Sequence, residues 1–286
     1  MIKNIIKKIG AICMAGVVMA SNASAVKIVL DPGHGGTSPG CVRDYDGRKI
    51  LEKDLNYEIA SKIKSELENY ETKDGSKLEV YLTHENSSTY NPLLEARVSF
   101  GSQIGANAVI SLHINASEDV CRNGAMVLVT DSNFNELYDA ENELAKCFLD
   151  ELRELGIGTP PDVSDILLDS SKISINNGVM RRLSDDGSVY ENGDTTDWYG
   201  IVRFGVEKKI PAIIVEHAYL SNEGDYREFL SSDEKLDKLA EADVRAIANY
   251  YNLVKKSDCP SELKLYEDVS VDDKVLESHN NSSMEV

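Results

Sequence analysis

"IVLDPGHGG", residues 28–36, joins a short apolar run to a loop of Asp, Pro, Gly, His, Gly and Gly. An apolar run of this length, bounded by turn residues, reads as a strand covered on both faces, as in the interior of a parallel sheet. The next periodic stretch is helical. Leu55, Ile59, Ile63 and Leu67 recur every four residues with polar side chains between them, so one stripe packs and the remainder faces water. Strand, glycine-rich loop and helix form the opening unit of an α/β fold.

The same alternation continues along the chain. Strands are expected at 26–30, 78–83, 107–112, 125–129 and 211–215, and helices from residue 51 and over 93–104, 136–155 and 234–253. The expected fold is α/β: a largely parallel twisted sheet with helices on both faces and a site at the carboxyl edge of the strands. The folded domain spans 26–253. Within it, residues 157–200 read as a polar insertion with a Pro160-Pro161 pair and a small hairpin. Its turns are expected at Asp186-Gly187 and Asn192-Gly193. Residues 254–286 are acidic, hold few large apolar side chains and read as a disordered tail.

Residues 1–25 read as a secretory signal peptide. Lys3, Lys7 and Lys8 precede an apolar run that ends in "SNASA", with Ala23 and Ala25 spaced for cleavage. The run is shorter than the ~20 residues of a spanning helix, so the expected product is secreted or retained in the cell envelope without stable membrane insertion. The chain carries 49 acidic against 30 basic residues, a net charge of −19. Nucleic acid and anionic lipid surfaces would be repelled, and no nucleic-acid partner is expected. Cys41, Cys121, Cys147 and Cys259 lie beyond the leader, with no CxxC pair among them, which argues against a thiolate metal site. Cys41 and Cys121 follow strands that end at the same sheet edge and are either a pair or two free thiols.

In parallel α/β folds ligands bind beyond the carboxyl ends of the strands. His34 follows the first strand, Glu52 opens the helix after it, His113 ends the third strand in "VISLHINA", and Glu216 ends the last in "AIIVEHAYLSN". Each alone has a local explanation, as a surface histidine, a helix-dipole partner or a hydrogen-bonded core residue. Their convergence on one edge favours a joint one. Two imidazoles and a carboxylate suit Zn²⁺ with an open fourth position, and a further carboxylate suits proton abstraction from the attacking water.

The chain resembles the zinc-dependent N-acetylmuramoyl-L-alanine amidases of the Amidase_3 family over most of 26–253. The resemblance rests on "IVLDPGHGG", "EKDLN" at 52–56, "SLHINA" at 111–116 and "PAIIVEHAYLSN" at 211–222. It implies that His34, Glu52 and His113 are zinc ligands and Glu216 the catalytic glutamate. The implied substrate is peptidoglycan, cut between N-acetylmuramic acid and the L-alanine of the stem peptide. Arg203 matches an arginine upstream of the family's last strand, which would polarise the scissile carbonyl or hold a substrate carboxylate. Asn115 and Ser111 flank His113 and are candidates for orienting the ligands, while Asp31 is assigned to loop hydrogen bonds.

The "LLEAR" segment at 93–97 and His217 are expected to be structural, and His84 is a weaker site candidate. Trp198 and Tyr199, in a segment longer than many relatives have, are candidates for a groove wall. The protein is expected to act as a monomer. The alternatives are another cell-wall zinc hydrolase, a peptidase or deacetylase, or a catalytically idle wall-binding or activator protein.

Overall fold

The computed structural model describes residues 25–131, 135–162 and 173–258. The strands are β1 (Val26–Pro32), β2 (Val42–Tyr45), β3 (Arg48–Leu51), β4 (Tyr70–Thr72), β5 (Leu78–Leu82), β6 (Ala108–Asn115), β7 (Met126–Leu128), β8 (Ile173–Asn176), β9 (Val179–Arg182), β10 (Ala212–Tyr219) and β11 (Leu253–Lys255). The helices are α1 (Glu52–Leu67), α2 (Leu94–Gln103), α3 (Asn135–Glu154), α4 (Gly200–Lys208), the single turn α5 (Glu223–Asp225) and α6 (Asp233–Tyr251).

β1 lies inside a seven-stranded sheet of order β5-β1-β6-β10-β7-β9-β8. Its Ile28, Val29 and Leu30 are fully buried, and each such side chain contributes about 1.5–3 kcal/mol when removed from water. The four strands β5, β1, β6 and β10 are parallel, as the apolar runs predict, whereas β7 and β8 join their neighbours β10 and β9 antiparallel. Side chains of α1, α3 and α6 pack on one face of the sheet and those of α2 and α4 on the other.

Three expectations change. The described part of the expected insertion is joined to the main sheet, because β8 and β9 from residues 173–182 complete its edge. A hairpin between them turns at Asn177-Gly178, both at positive φ; the expected turn at Asn192-Gly193 lies between the antiparallel bridge partners Val189 and Thr195, and at Asp186 the chain only bends. Regular structure continues past residue 253, through Asp258. α6 ends on Asn252 in the left-handed conformation, and β11 then pairs antiparallel with β4. The hairpin β2–β3 was not foreseen, although its two-residue loop Asp46-Gly47, also at positive φ, is a strong turn signal. Residues 1–24, nearly all of the expected signal peptide, and residues 259–286 lie outside the described residues, among which no helix is long and apolar enough to cross a membrane.

Candidate metal centre

His34, Glu52 and His113 meet at the carboxyl edge of the parallel strands, and their donor atoms lie within 4.8 Å of one another. One carboxylate oxygen, Glu52 Oε1, faces both rings, 3.1 Å from His34 Nε2 and 3.0 Å from His113 Nδ1. The two imidazoles stand edge to face, centroids 4.9 Å apart. Such a nitrogen and oxygen set can hold a metal ion. Burial alone would push the Glu52 carboxyl up, but hydrogen bonding to His113 and His34 holds it well below the usual carboxylate range. Burial works against the charged His113, and the Glu52 and Glu216 carboxylates outweigh it, so its pKa is raised.

The chain builds this geometry with backbone and buried polar groups. α1 begins at Glu52 with no side-chain cap. Its exposed N–H groups are taken up by the preceding loop, Glu52 N–H donating to Cys41 O and Lys53 N–H to Pro39 O. The Glu52 carboxylate is then free to accept from Cys41 N–H at 2.7 Å and Ile114 N–H at 3.2 Å. His34 sits at φ 66°, a conformation that costs a non-glycine residue energy. Its carbonyl accepts from Arg97 Nη2 at 2.7 Å, and its Nδ1 lies 3.2 Å from Ser38 Oγ.

Arg97, from "LLEAR", is almost wholly buried. It also donates to Asp31 Oδ1 and Pro32 O, so α2 pins the loop that carries His34. Asp31 accepts from Thr83 and Ser111 hydroxyls as well, in keeping with its assignment to loop hydrogen bonds.

Glu216 stands opposite His113 in the β10–β6 register. Its Oε2 is buried and has no partner. Burial pushes its carboxyl up to about 7, with the Glu52 charge adding to the shift and His113 and His217 opposing it. A carboxylate of that pKa takes up and gives back a proton near neutrality. His217 points to the opposite face, fully buried, between His113 O at 2.9 Å and Asp243 Oδ2 at 2.8 Å.

Other candidates are placed elsewhere. Asn115 spends its side-chain oxygen on the N–H of Ala116, and Arg203 lies against Phe204 and near Asp186. Neither makes a hydrogen bond or ion pair with His34, Glu52, His113 or Glu216. The position of Arg203 on α4 turns its side chain toward the 183–199 loop. His84 is buried beside Gly35 with Nε2 unpartnered. Trp198 is 39% exposed with the Arg182 guanidinium 3.8 Å above its ring, and Tyr199 lies near enough to Glu216 to sense its charge.

Sequence reasoning passed over Ser38, Asn56 and Arg182. Asn56 donates to Gly33 O and Glu52 Oε1, and its place in "EKDLN", one turn after Glu52, was the available signal. Cys41, Cys121 and Cys147 are free thiols.

Comparison with known proteins bears on this arrangement. Residues 28–249 match the family described as N-acetylmuramoyl-L-alanine amidase, Amidase_3. N-acetylmuramoyl-L-alanine amidase AmiC of Escherichia coli is 24% identical over 241 residues, 79% of this chain and 53% of that protein. The germination-specific N-acetylmuramoyl-L-alanine amidase of Bacillus subtilis is 31% identical over 138 residues, 44% of this chain and 52% of that protein. The chain thus spans about half the length of the curated relatives it matches.

Among solved structures, the CwlD amidase of Clostridioides difficile, in complex with the GerS lipoprotein, is similar with a TM-score of 0.54 at 25% identity, covering 79% of this chain and 98% of that one. The catalytic domain of CwlV from Bacillus (Paenibacillus) polymyxa shares the fold with a TM-score of 0.55 at 22% identity, covering 79% and 98%. With the family matched across the whole sheet and both strand ends that carry the cluster, this chain belongs to the N-acetylmuramoyl-L-alanine amidase family, Amidase_3.

Proposed function

We propose that this chain is a secreted, monomeric zinc amidase that hydrolyses peptidoglycan at the amide between N-acetylmuramic acid and the L-alanine of the stem peptide. The observation that carries the reading is the meeting of His34, Glu52 and His113 directly across one strand pair from Glu216, in a chain of the amidase family. Tetrahedral zinc ligands at about 2.0–2.2 Å from the ion stand roughly 3.3–3.5 Å apart. The distances of 3.0–3.1 Å from Glu52 Oε1 to the two ring nitrogens therefore fit that ion with small adjustments. Secretion is supported by the signal-like residues 1–25.

His34 Nε2, His113 Nδ1 and Glu52 would hold the zinc, with one position open to water and substrate. When bound, zinc supplies Lewis-acid activation of that water and of the scissile carbonyl. Glu216 accepts a proton from the water as its oxygen adds to the carbonyl carbon. It then gives that proton to the alanine nitrogen as the carbon–nitrogen bond breaks. The raised pKa of Glu216 suits both transfers. Trp198, with Arg182 stacked on it, forms a wall suited to a sugar ring or peptide. Asn115 and Arg203 have no part in this reading.

Zinc analysis of the purified protein should show one ion per chain, with activity lost to a chelator and restored by Zn²⁺. Mass spectrometry of digested peptidoglycan should show free L-alanine amino termini and intact glycan; cleavage elsewhere would point to a peptidase or deacetylase. Glu216→Gln should keep zinc and fold while the rate falls by about 10²–10⁴. Wild-type activity in that variant would refute the assigned role.

A further inference from the structure

His34 and His113 face Glu52, and His217 faces Asp243, whereas His84 makes no ion pair among the described residues. It follows β5 and is 5% exposed. Its two ring nitrogens have different surroundings. Nδ1 lies 3.1 Å from Thr83 Oγ1, while Nε2 has no hydrogen-bond partner among the described residues. That second nitrogen faces Gly35, where an added methyl group would stand 3.3 Å from it and 2.6 Å from Tyr90 O. The ring therefore backs onto the loop that presents His34.

Counting protons decides which nitrogen carries the hydrogen. The Thr83 hydroxyl has one proton to give. Its oxygen stands 2.5 Å from Asp31 Oδ1 and 3.1 Å from His84 Nδ1. Asp31 is ion-paired with Arg97, and a carboxylate only accepts, so the Thr83 proton points to Asp31. The remaining lone pairs of Oγ1 then face Nδ1, which meets them only as N–H. Burial and the Arg97 charge lower the pKa of His84, with Asp31 opposing them in part. The ring thus carries a single hydrogen near neutrality, and Nε2 is left bare.

The hydroxyl involved belongs to the clamp on His34. Asp31 Oδ1 also accepts from Arg97 Nη1, and Arg97 Nη2 donates to the carbonyl of His34, a residue held at the costly φ of 66°. A hydroxyl that accepts one hydrogen bond donates a stronger one. We propose that His84, as its Nδ1–H tautomer, is a positioning residue for the metal centre: by donating to Thr83 Oγ1 it fixes that hydroxyl on Asp31 and steadies the Asp31–Arg97 hold on the His34 loop. The assignment rests on the zinc reading given above.

The tautomer is read by long-range proton–nitrogen correlation NMR of the full chain labelled with 15N-histidine, at neutral pH, with and without Zn²⁺. His84 should show a protonated Nδ1 and a bare Nε2; a hydrogen on Nε2, alone or together with one on Nδ1, overturns the proposal. Zinc affinity, measured by chelator competition, reads the consequence. His84→Leu should weaken it about tenfold, the low end of the range for partners that support ligands from outside. His84→Asn places an amide N–H near the position of Nδ1 and should recover most of the loss, whereas His84→Gln places its amide near Nε2 and should not. In a Thr83→Val background His84→Leu should cause no further loss, because the acceptor is gone. Unaltered affinity in His84→Leu, recovery by Gln in place of Asn, or an undiminished loss in the Thr83→Val background overturns the positioning role. A wild type that takes up no zinc overturns the zinc reading instead, and the tautomer measured on the metal-free chain keeps the two failures apart.

Discussion

At Gly33 an added methyl group would stand 2.3 Å from Cε1 and Nε2 of the His113 ring, and at Gly40 one would stand 2.4 Å from Glu52 Oε2 and 2.6 Å from His34 Cδ2. These two glycines keep space for three side chains of the cluster. Gly33 does so at ordinary φ, so its need for no side chain comes from the ring beside it and not from the turn. Gly33→Ala must tilt His113 away from Glu52, and zinc affinity should fall at least as far as it does when a supporting hydrogen bond is lost, about 10–100-fold. Ser38→Ala removes the partner of His34 Nδ1 and should fall within that same range. Competition with a chromophoric chelator at fixed pH measures both, and unaltered affinity in Gly33→Ala would mean that His113 is not held as described.

His217 and Asp243 join β10 to α6 through a pair whose two side chains are fully buried. The same imidazole holds the carbonyl of His113 from the face opposite the cluster. His217→Leu leaves Asp243 buried without its partner and should cost about 3–5 kcal/mol in urea unfolding. Replacing Asp243 as well, with Leu, should recover part of that loss; a double variant less stable than the single one would contradict a paired role.

How much of these elements could be read from the chain follows from the same physics. β1, β6, β10 and α1 announce themselves because burial on both faces, or along one stripe, leaves a regular apolar record. The four site residues stand at the ends of those elements, where topology alone brings them together. β8 and β9 leave no such record, being four residues each, β8 with two exposed positions and β9 with one buried residue among half-buried ones. Arg203 shows a related limit: a match upstream of β10 fixes a sequence position on α4, and the side chain there lies against Phe204 and near Asp186.

Among the described residues Glu141 is a fully buried acid with no ion pair, and it ties α3 to the sheet. Its Oε2 accepts from Thr130 N–H at 2.8 Å and its Oε1 from Ala212 N–H at 3.0 Å. Burial pushes its carboxyl up to about 8, the Asp197 charge adds to the shift, and the two backbone donors only partly offset it. The folded chain then keeps this proton until about pH 8, whereas the unfolded chain releases it near its ordinary value of 4.5. Between those limits the folded state binds more protons, so its stability is greatest below the lower limit and falls as pH rises, by at most about 1.4 kcal/mol per unit.

With 49 acidic residues the chain also gains self-repulsion as pH rises, but that term is common to wild type and variant. Glu141→Gln cannot ionise. It places one amide N–H₂ against a backbone donor, which costs a fixed amount at every pH. Urea midpoints measured for both proteins from pH 5 to 8.5 should therefore converge as pH rises, the variant starting well below the wild type and closing the gap. Parallel curves would mean that Glu141 is already ionised at neutrality, and that the contact of α3 with Thr130 and Ala212 is an ordinary carboxylate cap with no hold on the pH dependence of the fold.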